Sequence, residues 1–310
     1  MKKVIVTGGA GFIGSNLTEL LIERGYKVTV VDNLATGRLV NIRHLLDNKK
    51  VEFINGSIAS LPLLRKVFAG TEYVFHQAAI PSVPRSVKNP RASHNINATG
   101  TLNVLLAARD NGVKKVIYAS SSSVYGDSAK LPKQEDMTPS PLSPYAITKL
   151  AGEYYCSVFQ GIYGLDSVSL RYFNVYGPRQ DPKSQYAAVI PRFITRVMAG
   201  RPPMIFGDGE QSRDFTFVRD VAEANVRAAE SNATGIFNIG SSKKVTLNRL
   251  AKLIIGLVGG NNIRAAYAES RPGDIKHSLA DITRAAAFGY RPEYNLEAGL
   301  KETIMAFGKG

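Results

Sequence analysis

Residues 4–14 of the chain read VIVTGGAGFIG, and this stretch decides the fold class. The β-branched run at 4–6 predicts a buried strand, and apolar residues recur at helical spacing from Ile13 onward. Between the two, Gly8, Gly11 and Gly14 are spaced G-x-x-G-x-x-G, a close relative of the pattern that joins a strand to a helix around a dinucleotide. Gly8 permits the tight turn, Gly11 lets a pyrophosphate approach the backbone, and Gly14 lets the helix pack close to the strand. The stretch therefore predicts a strand–turn–helix unit whose helix N-terminus binds phosphate.

An acidic residue follows at the position that selects the dinucleotide. Asp32 ends the second predicted strand, at 28–31, and lies 18 residues after Gly14. A carboxylate there accepts hydrogen bonds from the adenosine ribose hydroxyls and repels a 2′-phosphate. Together these features predict NAD rather than NADP as the cofactor. The alternative is a structural turn followed by a surface aspartate.

Strand-like and helix-like stretches alternate outward from this unit, which predicts an α/β fold with a Rossmann-type doubly wound parallel sheet. Further strands are predicted at 51–54, 73–75, 115–119, 167–173 and 235–240, and helices at 95–111 and 145–163. Glycine and proline become frequent after Phe173, which indicates a loop-rich region over the sheet, and 215–229 indicates a return to the first unit. We therefore expect an NAD-binding domain over 1–174 and 215–240, interleaved with a smaller C-terminal substrate domain over 175–214 and 241–310.

The composition of the chain restricts its partners. Of its 310 residues 44% are hydrophobic, enough for a large core, and the net charge is +14. A basic surface can bind nucleic acid, or it can attract an anionic small molecule such as a dinucleotide. Because the basic residues are spread along the chain, with no Lys/Arg-rich run of five or more, the charge favours the small anion over nucleic acid.

Cysteine usage and hydropathy predict a cytoplasmic protein. Cys156 is the one cysteine, which excludes an internal disulfide and favours a reducing compartment. The sequence has no run of 18 apolar residues, and the apolar run after the N-terminal lysines is too short for a signal peptide. We expect no membrane association and no metal site.

A second group of residues predicts acid–base chemistry. Tyr145 and Lys149 lie four residues apart on a predicted helix that Ser143-Pro144 begins with a hydroxyl N-cap and a proline at the first helical position. The preceding strand ends in four serines, at 120–123, where open α/β sheets bind ligands. A tyrosine base needs a lowered pKa, which Lys149 together with an oxidised nicotinamide ring would provide. The alternative is an amphipathic helix with an exposed lysine beside a polar serine loop.

Several motifs resemble the extended short-chain dehydrogenase/reductase family, in the expected order. They are TGGAGFIGS at 7–15, DN at 32–33, HQAA at 76–79, SSSSVYG at 120–126, YAITK at 145–149 and RYFNVYGPRQ at 171–180. Within that family the chain is most similar to UDP-hexose 4-epimerases. The blocks SVPRSV (82–87), RQDP (179–182) and YAAVIPRF (186–193) resemble those that act on UDP-N-acetylhexosamines.

The resemblance implies roles for individual residues. NAD would be held by Gly8, Gly11, Phe12, Ile13, Gly14, Asp32, Asn33, Ser57, Ile58, Ala78, Ala79, Tyr145, Lys149 and Phe173. The catalytic residues would be Ser121, Tyr145 and Lys149. The UDP-sugar would be held by Ser82, Ser121, Ser122, Ser123, Asn174, Ala188, Val189, Met204, Phe206, Arg213, Arg271, Asp274 and Ser278. The two arginines would neutralise the diphosphate, and surface ion pairs are the alternative for them. At Ser57 the chain departs from the family, which usually has an aspartate there.

The resemblance also implies a mechanism. The phenolate of Tyr145 would take the proton of the sugar 4-hydroxyl, through or beside Ser121, while hydride passes from C4 to the nicotinamide. The 4-ketose would stay bound through UDP, turn about its diphosphate and receive the hydride on its other face. Ser122 and Ser123 replace the Asp-Glu pair of the 4,6-dehydratases, and the same loop lacks the glutamate typical of UDP-glucuronate decarboxylases. Both of those reactions are therefore disfavoured.

Ser278 bears on the size of the sugar. It follows Arg271 by seven residues, a position that in similar epimerases lines the pocket near the sugar C2 substituent. A tyrosine there resembles enzymes restricted to glucose and galactose, whereas a serine leaves room for an N-acetyl group. This indicates UDP-GlcNAc/UDP-GalNAc, with UDP-Glc/UDP-Gal as further substrates. A surface serine is the alternative, and uronates stay open because Arg85 could meet a carboxylate.

Other classes of function also stay open on the sequence. A net oxidoreductase would release reduced cofactor, a non-catalytic NAD-binding scaffold would have little use for Ser121, Tyr145 and Lys149 together, and a nucleic-acid binder would show salt-dependent binding. The resemblance also implies a homodimer formed through the predicted helices 95–111 and 145–163. Cys156 would then lie near an interface rather than at a redox site.

Overall fold

The computed structural model describes residues 1–182, 188–260, 262–270 and 276–308. The strands in these ranges are β1 (Lys3–Thr7), β2 (Lys27–Asp32), β3 (Val51–Asn55), β4 (Tyr73–His76), β5 (Lys115–Ser121), β6 (Asp166–Tyr172), β7 (Val175–Tyr176), β8 (Met204–Phe206), β9 (Ser212–Asp214), β10 (Thr216–Phe217), β11 (Gly235–Ile239), β12 (Lys244–Thr246) and β13 (Ala266–Ala268). The α-helices are α1 (Phe12–Glu23), α2 (Arg43–Asp47), α3 (Leu61–Val67), α4 (Val83–Lys88), α5 (Pro90–His94), α6 (Gly100–Asp110), α7 (Pro144–Tyr163), α8 (Val189–Met198), α9 (Val218–Glu230), α10 (Leu247–Val258) and α11 (Leu296–Gly308). Short 3₁₀ segments cover Leu39–Asn41, Ser122–Tyr125 and Ala285–Phe288.

The central sheet confirms the Rossmann-type prediction. In the described part of the chain, seven strands pair in the order β11-β6-β5-β4-β1-β2-β3, and every pairing is parallel. The strands predicted from the sequence are present, with ends shifted by at most two residues. Side chains of β1 alternate between two apolar clusters, with Val4 and Val6 on one face of the sheet and Ile5 on the other. Both faces are therefore covered, as near-continuous apolar strands require.

Local chemistry explains where the two main helices begin and end. The hydroxyl of Ser143 accepts a hydrogen bond from the Ala146 N–H at 3.2 Å, and Pro144 opens α7, as predicted. Gly25 follows α1 with a φ of +79°, the left-handed conformation expected of a glycine just beyond a helix end.

The predicted helix at 95–111 is not regular. Residues Asn95–Thr99 form a π-helical turn, and α6 begins only at Gly100. Within that turn the buried Asn97 side chain accepts a hydrogen bond from the Ile80 N–H at 2.8 Å and donates to the Thr148 hydroxyl at 3.1 Å. These bonds tie the loop after β4 to α7, which gives the widened turn a structural role.

A smaller assembly of elements follows Phe173. Helices α8, α10 and α11 enclose an apolar cluster that includes Ile194, Leu250 and Leu300. Three two-stranded sheets join β7 to β10, β8 to β13 and β9 to β12. Helix α9 packs instead against α1, beside the central sheet. The boundaries of the two interleaved domains stay a prediction.

The topology brings several strand ends to one edge of the sheet. Strands β1, β4, β5 and β6 end at Thr7, His76, Ser121 and Tyr172, and the strand order reverses between β1 and β4. Ligands of open α/β sheets bind outside this carboxyl edge. Within the ranges given above, no helix combines the length and apolar character needed to cross a membrane.

Candidate active site

The turn between β1 and α1 is tightly packed around its glycines. Gly8 has a φ of +72°, and a Cβ added to it would lie 2.6 Å from the Ala78 nitrogen. A Cβ on Gly14 would lie 2.1 Å from the Gly8 oxygen, so neither position accepts a side chain. The N-cap residue of α1 is Gly11, which leaves the first N–H groups of the helix without a capping side chain. Donors of this kind at a helix N-terminus fit a pyrophosphate.

The Asp32 carboxylate lies beside this turn, and the residue is 7% exposed. Its two oxygens accept hydrogen bonds from the Ala10 N–H at 3.0 Å and the Leu34 N–H at 2.8 Å. Burial raises its pKa, and these two bonds oppose the rise. The alternative of a surface aspartate is therefore wrong. Each oxygen has further acceptor capacity for a ribose hydroxyl, so the turn and Asp32 together fit NAD.

The other residues expected to hold NAD are placed around the same edge. Ala78 and Ala79 follow β4, with Ala78 against the backbone of the glycine turn, and Ile58 is buried. The side chains of Asn33 and Ser57 each accept a hydrogen bond from the backbone N–H two residues further on, at 3.1 and 3.2 Å. These two side chains stabilise their own turns, and their contact with the adenosine stays a prediction.

A cavity of about 390 Å³ lies outside the carboxyl ends of β5 and β6. Because its wall contains four consecutive serines, Ser120 to Ser123, we name it the serine cavity. It collects predicted site residues from α1, β5, α7, β9, the 3₁₀ segment after β5 and two loops. Those that line it are Phe12, Ile13, Ser121, Ser122, Ser123, Tyr145, Phe173, Asn174, Arg213 and Ser278.

Ser121, Tyr145 and Lys149 meet beside this cavity. The Ser121 hydroxyl lies near that of Tyr145 and acts to lower its pKa. Lys149 is 4% exposed, and its Nζ donates a hydrogen bond to the Ala119 oxygen at 2.7 Å. The same Nζ lies 5.9 Å from the centre of the Tyr145 ring. The alternative of an exposed lysine on an amphipathic helix is therefore wrong.

Burial sets the protonation states of these groups. Burial raises the pKa of Tyr145, and the Ser121 hydroxyl opposes the rise. Burial lowers the pKa of Lys149 to about 8, while the carboxylate of Glu153 acts in the opposite direction. The expected lowering of the tyrosine pKa depended on Lys149 and the oxidised nicotinamide acting together. The side chains alone leave that pKa raised.

A second cavity, of about 300 Å³, is formed largely by the smaller assembly of elements. Because Tyr176, Phe193, Phe206 and Phe215 line it, we name it the aromatic cavity. Its wall contains the predicted substrate residues Asn174, Ala188, Val189, Met204, Phe206 and Arg213. Asn174, Val175 and Arg213 line both cavities, which therefore share a wall.

The shared wall carries a cation and an unusual backbone conformation. Asn174 has a φ of +23°, in the left-handed region that asparagine enters more readily than most residues. Arg213 lies on β9, and its Nη1 donates to the backbone oxygens of Ser212 at 3.0 Å and Lys276 at 3.3 Å. A guanidinium forms charge-assisted hydrogen bonds with phosphate oxygens, and the binding of a diphosphate by Arg213 stays a prediction.

Residues 4–240 match the model of the NAD dependent epimerase/dehydratase family. The matched range contains the glycine turn, the central sheet and the predicted catalytic residues Ser121, Tyr145 and Lys149. The chain belongs to this family. Its cofactor is NAD, in agreement with the position of Asp32.

Similar proteins cover nearly the whole chain. A putative UDP-glucose 4-epimerase of Methanocaldococcus jannaschii is 42% identical over 303 residues, 97% of either protein. The solved UDP-N-acetylglucosamine 4-epimerase of Methanobrevibacter ruminantium, in complex with UDP-N-acetylmuramic acid, is 43% identical with a TM-score of 0.96, over 99% of this chain and 98% of that one. The UDP-glucuronic acid 4-epimerase of Bacillus cereus, solved with UDP-glucuronic acid and NAD, is 32% identical with a TM-score of 0.90, over 99% of both chains. The three agree on the reaction and differ in the sugar.

Three predicted substrate residues of this family member are placed differently or not described. The hydroxyl of Ser82 accepts a hydrogen bond from the Arg85 N–H at 3.2 Å and caps α4, so it is used within its own helix, although Pro81 and Val83 line the serine cavity. Arg271 and Asp274 lie outside the described residues. Ser278 lines the serine cavity, so the alternative of an isolated surface serine is wrong.

Both walls also contain polar residues to which the sequence assigns no role, among them Lys133, Gln180 and His277 in the serine cavity and Gln211 in the aromatic cavity. Gln211 precedes Arg213 by two residues, and the period of an extended strand places such residues on one face, so a signal for it existed. Lys133 reaches the cavity on a loop that pairs with Ala280, and no local pattern indicates that contact.

Proposed function

We propose that this protein interconverts UDP-GlcNAc and UDP-GalNAc by epimerisation at C4 of the sugar. The coarser activity, NAD-dependent 4-epimerisation of a UDP-sugar, is an isomerase reaction. The shared wall carries the proposal: a cavity suited to a nucleotide adjoins one that Ser121 and Tyr145 line, with Lys149 beside them. UDP-Glc and UDP-Gal are smaller at C2 and are further proposed substrates.

Tyr145 acts as the base in the proposed reaction. Its phenolate takes the proton of the sugar 4-hydroxyl, while Ser121, which lies near Tyr145, orients the same hydroxyl. Bound NAD⁺ supplies the hydride acceptor and the positive charge of its ring. Lys149 stabilises the phenolate because opposite charges interact strongly in a buried site. Tyr145 returns the proton after the sugar has turned.

Epimerisation requires that the sugar turn while the nucleotide stays bound. The aromatic cavity suits the nucleotide, since aromatic faces pack against a base and Arg213 meets the diphosphate. The serine cavity suits the moving part. Its small hydroxyls, on Ser121, Ser122 and Ser123, can donate to or accept from either face of a hexose.

The N-acetyl preference rests on Ser278. Its backbone N–H donates to the Ser212 oxygen at 3.0 Å, which fixes the residue in the wall of the serine cavity. A side chain of this size leaves space beside the sugar for an acetamido group. Spare room also admits plain hexoses, so we expect both classes to react.

The test uses purified protein, UDP-GlcNAc and no added cofactor, with the C4 epimers resolved by chromatography. Formation of UDP-GalNAc supports the mechanism, resident NAD and the space at Ser278 together. Conversion of UDP-Glc alone keeps the mechanism and contradicts the assignment of Ser278. Reduced cofactor that accumulates in proportion to the substrate consumed identifies a net oxidoreductase, and no conversion of either sugar contradicts the proposal.

A second candidate, 4-epimerisation of a UDP-uronate, is favoured by the charge of the serine cavity. The cationic residues Lys133 and Arg213 line it, and no Asp or Glu of the described residues does. Lys133 is 3% exposed, and its Nζ donates to the Ser128 backbone oxygen rather than to a carboxylate. A uronate carboxylate would pair with this buried ammonium. Two results would favour this candidate. The protein would turn over UDP-glucuronate faster than UDP-GlcNAc, and Lys133→Met would lower the turnover of UDP-glucuronate alone.

We also propose a homodimer formed through α7. Four of its apolar side chains, Ile147, Tyr154, Val158 and Ile162, lie on one helical face and are 48% to 69% exposed. Cys156 on the same helix is buried, and burial raises its pKa to about 12, which suits a structural thiol. Sedimentation velocity should give a dimer for the wild type and a monomer for Val158→Glu. A monomeric wild type would contradict the proposal.

A further inference from the structure

Glu153 lies beneath the reacting groups and has no part in the mechanism described so far. It follows Lys149 by four residues and Tyr145 by eight on α7, so the three share one helical face. The side chain of Glu153 is fully buried, and that of its partner Arg171, on β6, is 1% exposed.

The Glu153 carboxylate joins α7 to two strands. Arg171 donates from Nε to one oxygen at 2.9 Å and from Nη2 to the other at 2.7 Å. The hydroxyl of Ser120 donates to the oxygen that also accepts from Nε. Ser120 is the register partner of Arg171 in the β5–β6 pairing, and it directly precedes Ser121. One carboxylate therefore fixes the end of β5 relative to the helix that carries Tyr145.

The charges around Glu153 are unequal. Lys149 and Cys156 face it from α7, Tyr118 from β5 and Arg171 from β6. His76 of β4 faces Lys149 and is neutral, because burial lowers its pKa to about 3. Burial raises the pKa of the Tyr118 hydroxyl and of the Cys156 thiol, so both are neutral. The guanidinium of Arg171 also lies 4.6 Å from the centre of the Tyr125 ring. A single carboxylate thus faces two buried cations.

Stability alone does not require this arrangement. Well-packed apolar side chains often replace a buried ion pair without loss of stability, because charges are costly to remove from water. The position of this pair connects it to the reaction. Glu153 lies one helical turn from Lys149, and its hydrogen-bond partner Ser120 directly precedes Ser121.

We propose that Glu153 is a positioning residue: its carboxylate holds Ser121 in line with Tyr145 and keeps Lys149 protonated. The inference rests on the proposed function, because it takes Tyr145 as the base. Without the carboxylate, Lys149 would share its buried surroundings with Arg171 uncompensated, and it would lose its proton at lower pH. The phenolate of Tyr145 would then lack its cation at the upper end of the pH range.

The test compares Glu153→Gln with the wild type and with Glu153→Asp, which keeps the charge on a shorter side chain. The readout is kcat and KM for UDP-GlcNAc as functions of pH. In Glu153→Gln we expect kcat to fall about 10-fold, KM to stay within about 3-fold, and the basic limb of the profile to move down by about one pH unit. In Glu153→Asp the basic limb should stay at the wild-type position while kcat falls. Basic limbs that coincide in wild type and Glu153→Gln would overturn the proposal.

A titration of Lys149 that needs no turnover separates this inference from the proposed function. The protein is labelled with ¹³C-lysine, and the Lys149 signal is assigned by its loss in Lys149→Met. Its titration should move to lower pH in Glu153→Gln and stay in place in Glu223→Gln, which breaks the surface ion pair with Arg24 at 2.5 Å. An unchanged Lys149 titration in Glu153→Gln would overturn the charge role even if the protein proves not to be an epimerase.

Removal of one partner from a buried ion pair can prevent folding. For that case the double variant Glu153→Gln/Arg171→Gln removes both charges and replaces the pair with two amides. Its surplus cation is gone, so the Lys149 titration should return toward the wild-type position. The value of kcat should stay low, because Ser120, which directly precedes Ser121, loses its fixed partner. Wild-type kcat in the double variant would overturn the alignment role.

Discussion

The serine cavity and the aromatic cavity share a wall, but the chain builds them differently. The serine cavity takes its reacting groups from the end of β5 and the start of α7, which the central sheet fixes. The aromatic cavity is assembled from α8, β8, β9 and the loop after β6, which pack around their own apolar cluster. The difference indicates that rate and affinity are separable in this protein. Substitutions in one cavity should change turnover, and substitutions in the other should change nucleotide binding.

Tyr145→Phe should give the largest effect and the sharpest form of this separation. Loss of the base should lower kcat by about 10³-fold, because a positioned acid–base group contributes about 10² to 10⁴-fold. UDP affinity, measured by calorimetry on the purified protein, should change by less than about 3-fold. Wild-type turnover in this variant would refute the assignment of the base.

Ser278→Tyr tests whether the serine cavity also selects the sugar. The larger side chain should fill the space beside C2 and lower kcat/KM for UDP-GlcNAc by about 100-fold, while UDP-Glc keeps most of its rate. Both rates are measured with one enzyme preparation, so a general folding defect would lower them together. Unchanged turnover of the N-acetylated sugar would remove Ser278 from the specificity argument.

Arg213→Met tests the aromatic side of the shared wall. Loss of charge-assisted hydrogen bonds to the diphosphate should weaken UDP binding by about 30-fold, since each such bond contributes about 1.5 to 3 kcal/mol. The kcat at saturating UDP-sugar should fall far less than in Tyr145→Phe. Arg213→Lys keeps the charge but not the planar guanidinium, so its UDP affinity should lie between those of the wild type and Arg213→Met. A loss confined to kcat would break the comparison between the cavities.

Asp220 provides a test outside both cavities. It is 3% exposed, and its oxygens accept hydrogen bonds from the Glu293 and Tyr294 N–H groups at 2.9 and 3.3 Å. Burial raises its pKa from 3.8 to about 6, so the folded protein binds more protons than the unfolded chain between these values. Its contribution to the free energy of unfolding is present below pH 4 and is lost as pH rises through 6, by about 3 kcal/mol.

Denaturant unfolding between pH 4 and 7 measures this contribution. The pH dependence should flatten over that window in Asp220→Asn, while kcat at neutral pH should stay near the wild-type value because Asp220 lines neither cavity. An identical slope in both proteins would mean that another group titrates there.

The sequence predicted the parts of the site that local spacing determines. Gly8, Gly14 and Asp32 belong to one strand–turn–helix–strand unit, and Tyr145 and Lys149 lie one helical turn apart, so their order along the chain nearly implies their geometry. Local chemistry also explains why the Ser82 side chain caps α4, although it was predicted to bind the substrate. A serine just before a short helix satisfies that helix's own N–H groups, and Ser82 does so in α4.

The remaining features depend on contacts between distant segments. Lys133 enters the serine cavity because its loop pairs with Ala280, and the widened turn at Asn95–Thr99 follows the bonds that Asn97 makes to Ile80 and Thr148. Glu153 looked like an ordinary helix residue, since its ion pair with Arg171 forms only when α7 docks on β6. The partners in each of these contacts are far apart in the sequence. Periodicity within a short segment therefore gives no indication of the contacts.

The wall formed by Asn174, Val175 and Arg213 has a kinetic consequence for the proposed reaction. A sugar tethered by its nucleotide in the neighbouring cavity stays at an effective concentration in the millimolar range, whatever its own affinity for the serines. An oxidised sugar that leaves the reacting groups is therefore recaptured by an intramolecular step rather than lost to solvent. The serine cavity can then bind the sugar weakly. Weak binding allows the sugar ring to present both faces to the reacting groups before the UDP-sugar dissociates.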